Sequence, residues 1–467
     1  MAAPSGVNLT EETIFTWGAP PLKFGAGAVD EIGFEMAQFG ARRVLILTDP
    51  GISELGIPAR IAESLTRQGI TSEIFDGVHV EPTDDSMDKA AGYARQQGPW
   101  DGFVAVGGGS SIDTAKAVNL LTTDGGELMD YINAPIGAGR APQQPLKPLI
   151  AVPTTAGTGS ESTAMCVLDI LSMRVKTGIS HWRLRPTLAV IDPLVSLTLP
   201  PEVTASAGMD IVCHALESYT ARYYTTFDRK QPEQRVTYCG SNPVSDLWSE
   251  KALGLIAASF RTAVQEGSNL EARSNMMLAA TFAGMGFGNS GVHIPHANAY
   301  PIAGMVRDFR PHGYPQQEAM VPHGMSVSLT APEAFRFSFP SAPDRHLRAA
   351  AMLAPGQDKL NDAGEQLPSA VVDLMRGTYE GPPRIRGPAA PPVGDPAQAR
   401  GQIRGAAQRP APRAGPRRPV PRGTAARRRS GSGYVPAGAG EGAADYAVMP
   451  CRMGKHDGLV PPGQRRP

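Results

Sequence analysis

GFVAVGGGSSIDTAKAV, Gly102 to Val118, decides how this chain folds. Gly102–Val106 is a short unbroken apolar run, read as a strand buried on both faces. Three glycines follow, and from about Ser110 the pattern is that of a helix. Strand, glycine turn and helix in this order make the phosphate-binding end of a βα unit. Gly107, Gly108 and Gly109 let backbone N–H groups approach a pyrophosphate, and the helix N-terminus at Ser110 favours its negative charge. A second loop, PTTAGTGSE from Pro153 to Glu161, follows the apolar run LIAV and offers hydroxyls and amides from Thr154, Thr155, Thr158 and Ser160. Neither loop matches G-x-G-x-x-G or the P-loop pattern. The reading therefore rests on two phosphate-type loops flanking one helical unit.

Upstream of this unit the alternation continues. RRVLILT reads as a strand, IPARIAESLTRQG as a helix, TSEIFDGV as a strand and DSMDKAAGYARQQG as a helix. Repeated βα alternation with short connections predicts a parallel sheet wound with helices, a Rossmann-like architecture for nucleotides. Asp49 ends the first of these strands in VLILTDPG. A carboxylate there can bond adenosine ribose hydroxyls and repel a 2′-phosphate, which favours NAD over NADP; a turn-forming Asp before Pro-Gly is the plainer reading. After IDPLVSLTLP apolar residues recur at helical spacing instead, as in SEKALGLIAASFRTAV and ARSNMMLAATFAGMGFG. The expected division is an α/β dinucleotide-binding domain over 1–199 and an all-α domain over 200–376.

The helical half carries the metal-binding pattern. GMDIVCHALESY puts Asp210 and His214 four residues apart, on one face of a helix. VHIPHANAYP and VPHG supply further imidazoles downstream. One carboxylate with three neutral nitrogens suits iron(II) or zinc rather than magnesium or calcium. His293 and His296 compete for the third position, and spacing alone does not choose between them. His323 of VPHG is the fourth candidate. His181, His312 and His346 have no partner motif and read as solvated or structural.

Composition narrows the setting. Four cysteines, Cys166, Cys213, Cys239 and Cys451, contain no C-x-x-C and make neither a disulfide framework nor a thiolate zinc site. A reducing compartment is expected: the cytoplasm for a bacterial-type chain, the mitochondrial matrix for a eukaryotic one. No run is apolar enough to span a bilayer, and the N-terminus lacks the pattern of a secretory signal. From Gly377 the chain becomes a mixture of Pro, Gly, Ala and Arg. Residues 377–467 hold 16 Lys+Arg against 5 Asp+Glu, leaving 28 against 39 in the first 376, so the neutral total joins an acidic body to a basic tail. Such a composition predicts disorder. A frameshift near codon 377 in a GC-rich gene is one origin for it, and a genuine appended tail the other. Arg-rich segments bind nucleic acid through phosphates, but RGG-like repeats with interleaved aromatics are missing, so nucleic acid is not an expected partner.

GGGSSIDTAK, PTTAGTGSE, GMDIVCHALESY and VPHG together resemble the iron-containing, or group III, alcohol dehydrogenases. YCGSNPVSDLW, FAGMGFGNSGVHIPHANAYPIAG and VPHGMSVSLTAPEAF are most similar to the hydroxyacid-oxoacid transhydrogenases within them. The resemblance runs from about Thr13 to about Arg376. It implies a dehydroquinate synthase-like fold, a Rossmann-like domain followed by a helical metal-binding one, and a homodimer. It implies Asp210, His214, His296 and His323 as ligands of Fe2+, with Zn2+ permitted by the geometry, and it leaves His293 structural. Tyr300 stands where many relatives carry a non-ligand histidine, and its hydroxyl can donate a hydrogen bond in the pocket. Asp113, Lys116 and Lys176 fall at positions that contact the nicotinamide, its ribose or the phosphates in similar enzymes. Of Arg222, Arg229, Lys230 and Arg235 in the loop after the metal helix, Arg235, just before YCGSNP, is the first candidate cation for an acidic substrate; a solvated loop charge is the stronger reading. The implied reaction is metal-assisted hydride transfer through bound NAD(H), from 4-hydroxybutyrate to 2-oxoglutarate, giving succinate semialdehyde and 2-hydroxyglutarate. A dehydrogenase with exchangeable NAD is the alternative, and a zinc enzyme of the glycerol-dehydrogenase or dehydroquinate-synthase type a more distant one.

Overall fold

The computed structural model describes residues 10–317, 319–357 and 360–379. Its strands are β1 (Leu22–Phe24), β2 (Arg43–Leu47), β3 (Thr71–Phe75), β4 (Gly102–Gly107), β5 (Leu149–Pro153), β6 (Met165–Ile170), β7 (Val175–Ser180) and β8 (Leu188–Ile191). Six of them form one parallel sheet in the order β1–β8–β5–β4–β2–β3. Helices α1 (Ile32–Gln38), α2 (Pro50–Glu54), α3 (Ile57–Arg67), α4 (Asp84–Gln97), α5 (Gly109–Thr123) and α6 (Leu128–Tyr131) accompany them. Alternation along the strands explains the layering. Phe103 and Ala105 of β4 pack with Leu45 and Leu47 of β2 on the face that α4 and α5 cover. Val104, Val106, Val44 and Ile46 pack on the other face with Ile32, Met36, Ile61 and Leu65 of α1 and α3. A strand buried on both sides has to be apolar throughout, which is why GFVAV was legible.

The chain leaves β2 for the edge strand β3, then returns to β4 on the opposite side of β2. This reversal puts a crevice at the carboxyl ends of β2 and β4, where open α/β sheets bind ligands. An antiparallel hairpin, β6–β7, sets Asp169 opposite Lys176 beside that crevice. No periodic signal announced the hairpin.

The second half is helical: α7 (Pro201–Thr220), α8 (Pro243–Gln265), α9 (Leu270–Ser290), α10 (Ile294–Met305), α11 (His323–Ser338), α12 (Pro343–Leu353) and α13 (Gln366–Tyr379). Leu216 of α7, Phe260 of α8, Met276 of α9, Val327 of α11 and Leu374 of α13 share one core. Nearly every residue of α7 from Thr204 onward is buried, so its ionisable side chains must be satisfied within the protein. Among the described residues no helix is long and apolar enough to cross a membrane.

One expectation needs correction. Composition starts the basic tail at Gly377, yet α13 continues to Tyr379. Gly377 lies under Arg261, Thr378 is buried, and the Thr378 hydroxyl donates to the Leu374 carbonyl at 3.0 Å. Packing against α8 outweighs a composition that by itself reads as unstructured. The rest of the expected tail, 380–467, lies outside the described residues.

Candidate active site

Three ionisable residues of α7, Asp210, His214 and Glu217, are four and three residues apart and stack along one stripe of the helix. All three are buried. His296 joins them from the first turn of α10, and His323 opens α11. His214 Nε2 and His296 Nε2 lie 2.9 Å apart. Asp210 Oδ1 is 3.5 Å from His296 Nε2 and 3.9 Å from His323 Nε2. Ligand atoms of Asp210, His214 and His296 fall within 4.8 Å of one another. His323 stands at the mouth of this cluster, with its side chain 28% exposed.

The hydrogen bonding of the cluster suits a divalent cation. Asp210 Oδ1 is buried without a hydrogen-bond partner, a costly arrangement unless a ligand satisfies it. Burial works to protonate Asp210, but His214, His323 and His296 outweigh it and hold the carboxyl well below its usual range. Burial also pushes His214 down to about 3, keeping it a neutral donor. His296 moves the other way. Burial favours its neutral form, yet Glu217 and Asp210 raise it to about 10.

Glu217 was not anticipated. Its Oε1 accepts from His296 Nδ1 at 2.6 Å, and its Oε2 accepts from the backbone N–H of His293 at 2.6 Å. One carboxylate thus caps the start of α10 and fixes the tautomer of a candidate ligand, leaving Nε2 to face the cluster. The i+3 spacing from His214 was the available signal, and it reads equally well as an ordinary acidic residue. His293, by contrast, turns its Nε2 to Thr220 Oγ1 at 2.9 Å.

The motif VPHG also acquires a reason. A Cβ on Gly324 would sit 2.0 Å from the Ser206 carbonyl oxygen and 2.9 Å from Asp210 Cβ. Only glycine lets α11 approach α7 closely enough to bring His323 beside Asp210.

The cluster opens into a cavity of about 320 Å3 whose far wall is built by Gly109, Ser110, Asp113, Thr158 and Ser160. The glycine turn does more than admit a phosphate. A Cβ on Gly107 would lie 2.3 Å from Ser111 Oγ, and one on Gly109 would lie 2.7 Å from Thr158 Cγ2. Gly108 faces Thr155 at 3.4 Å, so glycines are what allow the two loops to nest. Thr154 is buried behind them, its backbone N–H bonded to the Gly107 carbonyl at 2.9 Å.

Other expected residues spread over this wall. Asp113 Oδ2 accepts from the Val167 N–H at 2.9 Å. The Lys116 ammonium is fully buried and has four oxygens within hydrogen-bond reach of its three N–H groups: the Met165 carbonyl at 2.6 Å, Ser160 Oγ at 2.8 Å, Asp113 Oδ1 at 3.1 Å and Thr163 Oγ1 at 3.2 Å. It braces the wall from behind. Asp49 caps α2 through the Ile52 N–H at 3.1 Å and lies 3.4 Å from Ser111 Oγ. Lys176 lines the cavity with Tyr300, paired to Glu81 at 2.6 Å and Asp169 at 3.0 Å. Tyr300 stacks on His323 with ring centroids 6.4 Å apart.

Arg235 does not reach this cavity. Its guanidinium is committed to the buried Glu12 carboxylate at 3.1 Å, in a separate small recess. The residue its loop does deliver to the cavity is Tyr238, an uncharged side chain that no charge pattern in the sequence marks.

With this geometry in place, comparison with known proteins is direct. Family models described as iron-containing alcohol dehydrogenase and as Fe-containing alcohol dehydrogenase family, C-terminal, match residues 20–193 and 233–381. The mitochondrial hydroxyacid-oxoacid transhydrogenase of Rattus norvegicus is 44% identical over 374 residues, 79% of this chain and 79% of that protein. Its Homo sapiens namesake is 44% identical over 370 residues, 78% of each. Among solved structures, a 1,3-propanediol oxidoreductase matches with a TM-score of 0.67 at 30% identity, covering 78% of this chain and 87% of that one. A sulfoacetaldehyde reductase from Bifidobacterium kashiwanohense in complex with NAD+ gives 0.65 at 26%, covering 78% and 86%. A metal ion and a nicotinamide dinucleotide are the groups such relatives imply, and the buried donor set and the glycine-turn wall accommodate that pair. The chain belongs to the iron-containing alcohol dehydrogenases, a family of oxidoreductases acting on CH–OH groups.

Proposed function

We propose that this chain is a hydroxyacid-oxoacid transhydrogenase: it oxidises 4-hydroxybutyrate to succinate semialdehyde and returns the hydride to 2-oxoglutarate, forming 2-hydroxyglutarate. One observation carries the reading. The buried Asp–His cluster and the N-terminus of α5 line the same cavity, so an alcohol carbon and a nicotinamide ring can meet there. The relatives' names supply the substrate class.

Asp210, His214, His296 and His323 would hold the metal, for which we propose iron(II) on the strength of one oxygen and three nitrogen donors. When bound, the ion supplies Lewis acidity to the substrate oxygen, and the dinucleotide supplies the hydride acceptor. The chain does the rest. Glu217 orients His296. Phe287, its ring centroid 3.9 Å from that of His214, covers one face of this imidazole. Ser110, Asp113, Thr158 and Ser160 would bind the dinucleotide, and Asp49, at the tip of β2, would favour NAD. Tyr300 carries a phenol raised by burial, so it stays a neutral donor to an oxygen beside His323. The two halves of the redox reaction balance without added oxidant if the dinucleotide remains bound between them. To the same reading belong a division at Leu199 between cofactor and metal halves, and a homodimer.

The test is succinate semialdehyde formation by iron-loaded protein given 4-hydroxybutyrate and no added NAD. Turnover that depends on 2-oxoglutarate supports the relay. Turnover only with free NAD refutes it in favour of an ordinary dehydrogenase.

A further inference from the structure

A hydroxyacid or oxoacid brings a carboxylate into a cavity whose only lysine or arginine among the described lining residues is Lys176. That ammonium already faces two carboxylates, Glu81 and Asp169, so its charge is more than compensated. Arg235 is likewise spent on Glu12. The substrate's acid group must find its partners elsewhere.

Tyr238 lies on the cavity wall, and Arg185, outside the lining, shares an anchor with it. Tyr238 lines the cavity, and among the described residues no hydrogen bond engages its hydroxyl. Its loop is pinned to the end of α9: the Cys239 N–H donates to the Asn289 carbonyl at 2.9 Å, and the Gly240 N–H to the Ser290 carbonyl at 3.1 Å. The ring then lies over Gly291, 3.6 Å from where a Cβ would stand, at a backbone φ of +95° that itself selects glycine. Tyr238 is thereby held against the segment that leads into His293 and His296.

Arg185 converges on the same anchor. Its Nη2 is 3.5 Å from Asn289 Oδ1 and its Nε donates to the Ser162 carbonyl at 3.3 Å. Among the described residues no carboxylate lies within ion-pair distance of it. It is a half-buried guanidinium whose hydrogen-bond partners, Ser162 and Asn289, are neutral, and it lines a neighbouring recess rather than the cavity itself. Carboxylates are recognised by such a pairing of a neutral O–H donor with an uncompensated positive charge.

We propose that Tyr238, backed by Arg185, is the carboxylate subsite that makes this cavity selective for hydroxyacids and oxoacids over neutral alcohols. Tyr238 is a specificity-determining residue that donates its phenol hydrogen to the acid group; Arg185 is a positioning residue that supplies the charge behind it. The proposal rests on the transhydrogenase reading and names the recognition element within it.

The experiment compares kcat/KM for 4-hydroxybutyrate with that for 1,4-butanediol, its uncharged analogue, in wild type, Tyr238→Phe and Arg185→Gln, all iron-loaded with metal content measured. Loss of a hydrogen bond to a charged group predicts that the acid-to-diol ratio falls by roughly tenfold or more in Tyr238→Phe, through KM for the acid. If Arg185→Gln does not fold, Tyr238→Phe decides the matter alone. A ratio unchanged in Tyr238→Phe overturns the subsite while leaving the transhydrogenase reading intact. A wild type that does not prefer the acid overturns both.

Discussion

Replacing Glu217 with glutamine changes one oxygen to an amide in a fully buried position and isolates what that carboxylate does. Glu217 accepts three N–H groups: His296 Nδ1 at 2.6 Å, the His293 backbone at 2.6 Å and the His296 backbone at 3.5 Å. A glutamine has a single oxygen, so its NH2 must face at least one of these donors. A hydrogen bond to a charged group contributes about 1.5–3 kcal/mol. Losing it at the outer partner of a metal-binding histidine corresponds to roughly 10–100-fold in metal affinity. Calorimetric titration of metal-free Glu217→Gln with Fe2+ under anaerobic conditions, or with Zn2+ as a stable substitute, measures this directly, and thermal melting of the metal-free protein reports the accompanying loss of stability. A second readout separates orientation from general damage. Glu217 is the foremost group opposing burial to hold His296 near 10, so in Glu217→Gln the imidazole should titrate well below that value by NMR. Wild-type metal affinity together with an unmoved His296 titration would falsify the claim that Glu217 sets this ligand's orientation.

Three further outcomes follow from the same geometry. Metal-free His296 holds a proton at neutral pH while His214, at about 3, does not, so metal binding near pH 7 should release close to one proton and tighten as pH rises towards 10, seen as a dependence of calorimetric enthalpy on buffer ionisation. The sign for stability is opposite: a histidine raised from 6.5 stabilises the metal-free fold fully below 6.5, and that contribution disappears as pH climbs through 10. Gly324→Ala forces a methyl to within 2.0 Å of the Ser206 carbonyl; it should destabilise the protein by about 3 kcal/mol in urea unfolding and lower bound metal in elemental analysis, because α11 must retreat from α7. Arg235→Ala should leave KM for 4-hydroxybutyrate unchanged yet destabilise the fold by about 3 kcal/mol, since Glu12 stays buried without its cation. Glu12 is lowered from 4.5 to about 2, burial being overcome by Arg235 and three backbone donors, so its stabilisation is present above 4.5 and lost as pH falls through 2. The Arg235→Ala deficit should therefore shrink in acid.

Local order dominates what could be read without coordinates. A parallel strand covered on both faces must be apolar at every position, and a helix N-terminus presented to a ligand needs small residues before it; both demands are written into consecutive residues at Gly102–Val118. Helical periodicity likewise made α8 and α9 visible. The i, i+4 pair Asp210–His214 was legible because one helix holds both partners. The edge strand β1, with three residues, and the β6–β7 hairpin left no such periodic mark.

By itself, then, the sequence determined the βα alternation, the helical second half, the glycine turn and the residue types of the Asp–His cluster, since each depends on neighbours within a few positions of the chain. Tertiary structure decided which imidazole faces the cluster: His296 does while His293 turns to Thr220, and that depends on Glu217, 79 residues away in the chain. It decided that Lys116 braces the wall from behind rather than entering the cavity. It also decided the fate of the charges around the 221–242 loop. Arg235 carries the charge an acidic substrate needs, yet a charge is available to a substrate only when no carboxylate of the protein has already taken it, and Glu12, in the N-terminal segment, has done so.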